Sequence, residues 1–474
     1  MSRTTLAPYP DYKHSGSPWL GRVPKHWQVR RLGSVLRERG ETNDRREVSQ
    51  VLSVLKNVGV IPYEEKGNIG NKRSEDIRRY KIVQPGDIVV NCMNVIIGSV
   101  GLAHHTGCLS PVYYVLTKRC PSDNANFLNA VFQSKPFQQS LVRIGNGILA
   151  HRMRIPMELL KCEPFPVPPH KEQDAIVRFL DHVNRDLVRF IKMKKRIIEL
   201  LNEQKRAIIQ RVVTHGTDAS LPRKQSEESW VGEIPKHWEV WRLGRLARVG
   251  NGSTPSRGNM QYWNGGTYPW LNSSHVNRGV IDSSDQFVTD VALRECHLPR
   301  VPRGSVLIAI TGQGKTRGTP ALLEIEATIN QHVAFISPKS SKVIQSDFLR
   351  LALSAAYRSL RALSDDSGST KGALTCDDLK RFKIVVPPMA EQEEIVAAIS
   401  GELVNVEEAI KRTQHEIELS EEYRTRLVAD VVTGKIDVRE AAQKATVTLE
   451  GDADDESTSS DDELSLGEAS EEFA

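Results

Sequence analysis

Apolar residues recur on alternating four- and three-residue steps at Ile176, Leu180, Val183, Leu187, Phe190, Ile197, Leu201 and Ile208, with Lys194 the main interruption. That spacing is a heptad seam. No proline intervenes between Pro169 and Pro222, so the seam predicts one long helix with a partner along its length. The pattern returns at Ile399, Leu403, Val406, Ile410, Ile417, Leu427 and Val431, with Thr413, Ser420 and Arg424 as weaker positions. Elsewhere the apolar runs are short and bounded by turn residues, which predicts strands. Gln84-Pro85-Gly86-Asp87 leads into Ile88-Val89-Val90, and Pro302-Arg303-Gly304-Ser305 leads into Val306 to Ile310. Each is followed by a glycine-rich loop (Gly98 and Gly101; Gly312, Gly314 and Gly318), then by a second strand-like run at Val112 to Leu116 or His332 to Ile336. A helix-compatible stretch closes each series, Asn126 to Phe137 and Ser346 to Leu363.

These parallels reflect an internal duplication. Trp19 to Val35 (WLGRVPKHWQVRRLGSV) returns 211 positions later as Trp230 to Leu246 (WVGEIPKHWEVWRLGRL) with ten identities. Val167-Pro168-Pro169 with Glu172-Gln173 recurs 219 positions later as Val386-Pro387-Pro388 with Glu391-Gln392, and the same offset carries Val212-Val213-Thr214 onto Val431-Val432-Thr433. Repeats of this kind fix the architecture before any single motif does. Between the copied blocks, residues 36 to 160 and 247 to 380 occupy equivalent places and share little sequence. A constant frame therefore carries two variable inserts, which read as divergent copies of one mixed α/β domain.

Charge sharpens the helix reading. Residues 171 to 214 carry a net +5 and the equivalent 390 to 433 a net −7, so like charges disfavour self-pairing and the two helices are expected to pair with each other in one chain. At 1.5 Å per residue each makes a rod of roughly 65 Å. Over the whole chain the balance is only +5, but residues 450 to 474 hold eleven acidic and no basic side chains in a serine-rich run expected to be disordered. Without that tail the body carries +16, and the inserts carry +6 and +4, a balance that attracts polyanions. The tail either solubilises the protein or competes with a polyanion for the basic surface. There is no stretch long and apolar enough to span a membrane and no signal-peptide core, so a cytoplasmic protein is expected. The six cysteines show no C-x-x-C pair or metal-ligand spacing and read as reduced, packed thiols, with no metal in this chain.

The order of insert, Pro-Pro-x-x-Glu-Gln helix, I-P-x-H-W block, insert and second helix resembles the specificity (S) subunits of type I restriction–modification systems. The resemblance covers about residues 17 to 440. It is carried most specifically by Ile234-Pro235-Lys236-His237-Trp238-Glu239-Val240 with Leu243-Gly244, by Pro387-Pro388-Met389-Ala390-Glu391-Gln392, and by Gly368-Ser369-Thr370-Lys371-Gly372-Ala373-Leu374. It implies an α/β fold class: two tandem mixed α/β target-recognition domains, separated by two long helices that pair as an antiparallel coiled coil, with internal pseudo-twofold symmetry. The expected boundaries are an N-terminal extension 1–18, target-recognition domains 19–165 and 230–385, spacer helices 166–216 and 386–434, a linker 217–229, a C-terminal extension 435–449 and the tail 450–474. The resemblance further implies a non-catalytic subunit that reads a bipartite site in double-stranded DNA, docks two methyltransferase (M) subunits, and is joined by motor-nuclease (R) subunits for restriction. S-adenosylmethionine, ATP and Mg are then expected only in the partners. Two readers on one groove face must sit near a multiple of a helical turn, about 34 to 36 Å, a separation that such a rod can hold.

DNA contact is expected from polar and basic residues in the inserts, because base edges are read by hydrogen bonds and phosphates by cations. Candidates are Lys72, Arg73, Arg78, Arg79 and Arg143 in the first insert, and Arg257, Gln261, Tyr262, Asn272, Ser273, His275, Asn277 and Arg278 in the second. Gln313, Lys315 and Arg317 lie on a basic glycine-rich loop, and Thr370 and Lys371 in the motif whose basic position corresponds to Arg152 in the first half. Arg152 and Lys371 read equally as phosphate contacts or surface cations. Trp27, Trp238, His26 and His237 belong to the shared frame, so packing explains them better than the reading of two different sequences. Two other classes compete: a protein-interaction scaffold without nucleic acid, and an NTPase using Ala309 to Thr316, a relaxed P-loop. The second needs a helix starting at Lys315-Thr316, where Arg317-Gly318-Thr319-Pro320 forbids one. Methyl transfer lacks its Asn/Asp-Pro-Pro-aromatic motif.

Overall fold

The computed structural model describes residues 6–56, 58–67, 72–147, 153–312, 314, 316–365 and 372–444. The acidic tail lies outside them. The chain divides into two compact units, one of residues 1–193 with 416–474 and one of residues 194–415.

In the first unit, β1 (Leu36–Glu38), β2 (Ile88–Asn91), β3 (Val100–Leu102) and β4 (Tyr113–Lys118) form an antiparallel sheet in the order β1-β4-β2-β3. Ile88, Val90, Val100, Tyr114 and Leu116 turn into a core shared with Phe127, Leu128, Val131 and Phe132 of α1 (Ala125–Gln133). Asn124 caps α1 by accepting from the N–H groups of Asn126 and Phe127. Sequence spacing predicts one helix as far as Phe137. The chain instead breaks at Ser134, where Pro136 denies a continuing helix its N–H, and a separate turn begins at Lys135. The long helix α2 then runs from His170 to His215.

The second unit repeats the plan. β5 (Ala247–Asn251), β6 (Val280–Ile281), β7 (Val306–Ala309), β8 (Pro320–Leu323) and β9 (Val333–Pro338) are ordered β5-β9-β7-β8-β6. Its first four positions match β1-β4-β2-β3 in order and antiparallel sense, so the inserts are copies of one sheet; β6 adds a parallel edge. α3 (Ser346–Ala355) takes the place of α1, and α4 (Met389–Val432) is the second long helix.

The long helices pair antiparallel. In the second unit Lys205 meets Glu407 at 2.6 Å and Arg211 meets Glu402 at 2.7 Å, so position rises along one helix as it falls along the other. In the first unit Ile176 and Phe179 share a core with Leu427, Val431 and Val432. Opposite net charge therefore appears as ion pairs across the seam. One seam position differs from expectation: Ile197 is 38% exposed and Ile198 turns inward instead. An α-helix drifts about 20° per heptad from a strict 3.5 repeat, and three heptads after Ile176 that drift favours the next residue.

The inserts diverge between β1 and β2 in the first and between β5 and β7 in the second. Among the described residues of 39–87, Leu52–Leu55 and Gly59–Pro62 pair antiparallel, and Lys81–Val83 pairs antiparallel with Gly107–Leu109. Residues 252–305 form a different layer, with Tyr268–Leu271 between Phe287–Val288 and Thr328–Ile329 and with its own core of Trp270, Val288, Ala292, Leu293 and Leu298.

Candidate nucleic-acid interface

Each insert is held to a long helix by the same set of frame residues. In the first unit, Gln28–Arg31 pairs antiparallel with Pro164–Val167, which brings the ends of the insert together just before α2. Trp27 is fully buried, and its indole N–H donates to Glu172 Oε1 at 2.8 Å, while His26 lies 2.7 Å from Oε2. Gln173 accepts from the backbone N–H of Asn124 at 2.8 Å and donates to the Pro168 carbonyl at 3.0 Å, so it ties the start of α2 to the capping residue of α1. The second unit repeats each contact. Glu239–Arg242 pairs with Lys383–Val386; Trp238 donates to Glu391 at 2.7 Å with His237 on the other oxygen at 2.7 Å; Gln392 accepts from Gln345 N–H at 2.9 Å and donates to the Pro387 carbonyl at 2.8 Å. Each tryptophan also packs on the end of the opposite long helix. Gly434, past α4, sits so close to Trp27 and Pro24 that an added Cβ would stand 2.3 Å from Pro24 Cδ, and Gly216, past α2, would meet Trp238 Cζ2 at 3.2 Å. Both glycines have positive φ, the left-handed conformation that ends a helix most cheaply at glycine. The repeated sequence thus encodes two clamps, each fixing one insert, one helix start and one helix end.

The candidate contact residues lie mainly on the divergent segments. In the first insert Lys72, Arg73, Arg78 and Arg79 are exposed on one loop. Arg78 chelates Asp76 at 2.8 Å, and Arg46, which sequence reading passed over, joins the same carboxylate at 3.2 Å; these partners hold Asp76 well below the usual carboxylate range, with the Arg78 hydrogen bonds the largest cause. Arg73 lies over the Tyr63 ring. Arg143 stands apart, donating to the buried Glu163 at 2.5 Å.

In the second insert Arg257 stacks over Trp263 and Trp270, at 4.1 and 5.0 Å from the ring centroids, and reaches Gln286 at 2.8 Å. This arrangement holds an exposed guanidinium rigidly over an aromatic platform. Gln261 is exposed beside it, and the Tyr262 hydroxyl donates to Glu295, which raises its pKa. Asn272 and His275 form a capping box around a short turn holding Ser273, and burial pushes the His275 pKa below its ordinary 6.5. Arg278 and Asn277 are exposed; Asn277 accepts from Thr316 at 3.1 Å, joining this turn to the glycine-rich loop. Arg317 differs from its neighbours, being 3% exposed and paired with Asp365. Its charge is committed inside the insert. Arg152, Gln313, Lys315, Thr370 and Lys371 lie outside the described residues.

Beyond β7, the described residues 316–319 lead straight into β8, so no helix N-terminus faces the relaxed P-loop and phosphate binding of that type has no support. Among the described residues no helix is long and apolar enough to cross a membrane.

Alongside this duplicated frame, two inserts built on one sheet and an antiparallel helix pair, the chain is similar in sequence to specificity subunits of type I restriction–modification systems. A family model described as the type I restriction modification DNA specificity domain matches residues 235–419. The chain is 26% identical over 239 residues to the EcoR124I/EcoR124II specificity subunit of Escherichia coli, covering 49% of this chain and 53% of that subunit. It thus spans about half the length of that relative. It is 23% identical over 436 residues to the MjaVIII specificity subunit of Methanocaldococcus jannaschii, covering 88% of this chain and 95% of the relative. A solved chain from a study of complex assembly and conformational transition of the type I R-M system superposes with TM-score 0.57 at 16% identity, covering 86% of this chain and 98% of that one, and so shares the fold.

Proposed function

We propose that this protein reads a bipartite sequence in double-stranded DNA, one half-site through each insert, as the specificity subunit of a type I restriction–modification complex. The observation that carries the reading is the contrast within each insert: the four-strand sheet and its clamp are common to both halves, whereas residues 39–87 and 252–305 differ and carry most of the exposed cations and amides named above. Common parts position, and divergent parts discriminate. On this reading the target-recognition domains are residues 19–165 and 230–385 and the spacers 166–216 and 386–434. The frame docks two methyltransferase subunits, and motor-nuclease subunits join for cleavage; S-adenosylmethionine, ATP and Mg belong to those partners. Lys72, Arg73, Arg78, Arg79, Arg257 and Arg278 neutralise phosphates or reach base edges, so affinity falls with salt at a log–log slope of about −0.9 per phosphate contact. Methylated bases mapped in cells making the methyltransferase partner, with and without this chain, test the proposal. Two unlike half-sites at fixed spacing that depend on the chain support it; an unchanged methylation pattern refutes it.

A further inference from the structure

The first clamp carries a side-chain cluster that its counterpart lacks. Cys120, Asp123 and His170 each offer a ligand atom, and these atoms all lie within 4.8 Å of one another. We propose that they form a binding site for a divalent transition metal of the zinc type, which fastens the start of α2 to the loop ahead of α1.

Three observations support the site. First, Asp123 is 2% exposed; its Oδ1 takes Gln173 Nε2 at 3.2 Å and His170 Nδ1 at 3.3 Å, while its buried Oδ2 has no hydrogen-bond partner among the described residues. A buried carboxylate oxygen left without a partner is costly, and a cation is the strongest partner available to it. Second, the donor set suits the ion. Thiolate, imidazole and carboxylate are the three side-chain classes that zinc takes, with bonds of about 2.0 to 2.3 Å, so the side chains need close only slightly around it. One thiolate and one carboxylate balance a dication. The Ser122 hydroxyl lies 3.0 Å from Cys120 Sγ and 3.1 Å from His170 Nε2 and so links the two groups. His170 is half exposed, which leaves an entry path and room for a water as fourth ligand.

Third, the second unit manages the same junction without these groups. Where Gln173 meets the Asp123 carboxylate, Gln392 donates to the Val343 backbone carbonyl at 3.0 Å, and Met389 replaces His170 as the first residue of its long helix. The fold at this junction does not require a buried acid, so Asp123 is specific to the first half. The three ligands, spaced C-x-x-D and then 47 residues to the histidine, form no pattern readable from cysteine spacing.

The test uses the full chain, reduced, stripped with a chelator and titrated with Co²⁺. One equivalent is expected to produce a near-ultraviolet thiolate-to-cobalt charge-transfer band and visible bands of tetrahedral intensity, both bleached by Zn²⁺. Cys120→Ser should abolish the charge-transfer band, His170→Gln should weaken Co²⁺ binding by at least about tenfold, and Cys162→Ser, at the exposed cysteine, should change nothing. Far-ultraviolet circular dichroism confirms that each variant is folded, and Zn²⁺ should raise the melting temperature of the parent but not of Cys120→Ser. Absence of the band in the parent overturns the proposal, because the cluster is then only a hydrogen-bond network. Persistence of the band in Cys120→Ser overturns it equally, because the metal then binds elsewhere.

Discussion

The two clamps use the same residues and differ in how deeply they are closed. Glu172 is 5% exposed and takes three partners, Tyr9, His26 and Trp27; Glu391 is 29% exposed and takes two, His237 and Trp238. The difference follows from connectivity. In the second unit the chain runs on continuously from α2 through residues 216–225 into the frame block. In the first unit the corresponding junction is made by two segments far apart in sequence: Ala7 pairs with Asp437, the Tyr12 hydroxyl donates to the Lys435 carbonyl, and Val438 and Ala442 join the core around Tyr9 and Trp27. Burial and the Glu172 carboxylate push the Tyr9 hydroxyl pKa up, which keeps it a neutral donor at any working pH. Where the joined segments are distant in sequence, more buried surface and one more hydrogen bond do the holding.

This contrast sets a graded series of tests. Glu172→Ala leaves two buried donors, Tyr9 Oη and Trp27 Nε1, without an acceptor and should cost about 3 to 5 kcal/mol, against about 1 to 3 for Glu391→Ala; denaturant unfolding of the two variants measures the gap, and equal losses would refute the graded closure. Gly434→Ala places a Cβ against the Pro24 ring at positive φ and should cost roughly 2 to 3 kcal/mol, whereas Gly216→Ala, facing an indole edge at 3.2 Å, should cost about 1 in the same assay. Reversing charge at Lys205 or Arg211 should cost only ~0.2 to 1 kcal/mol each, since both pairs are solvent-exposed, and added salt should reduce the effect. Smallest is the pH effect of one histidine in the second insert. The folded pKa of His275 lies below its ordinary 6.5, so the unfolded state binds the extra proton and stability falls as pH drops below 6.5. Melting temperatures compared at about pH 7.5 and about pH 5.5 should show less loss in His275→Gln than in the parent.

Much of this design is legible in the sequence where it is local. The seam from Ile176 to Leu187 and the strands at Ile88, Val306, Val112 and His332 follow from periodicity and turn residues, and pairing of the oppositely charged helices follows from a count of side chains. The frame tryptophans, read as packing residues, are fully buried. What escapes local reading depends on distant partners. Glu172 looks like any helix-start carboxylate until Trp27, 145 positions away, reaches it, and the role of residues 434–442 appears only once they pack beside Tyr9. Among the proposed DNA contacts, Arg78, Arg79, Arg257 and Arg278 are exposed, while Arg317 looks equally available in sequence and is buried against Asp365. A basic side chain carries no mark of whether its own fold has already neutralised it.

The most direct measurement is a transplant: residues 36–160 are replaced by 247–380, so that both clamps hold the second insert, and methylated bases are mapped in cells that also make the methyltransferase partner. The expected target contains the second insert's half-site twice and the first insert's half-site nowhere. A folded chimera that still directs methylation to the original pair of unlike half-sites would contradict the assignment of one half-site to each insert.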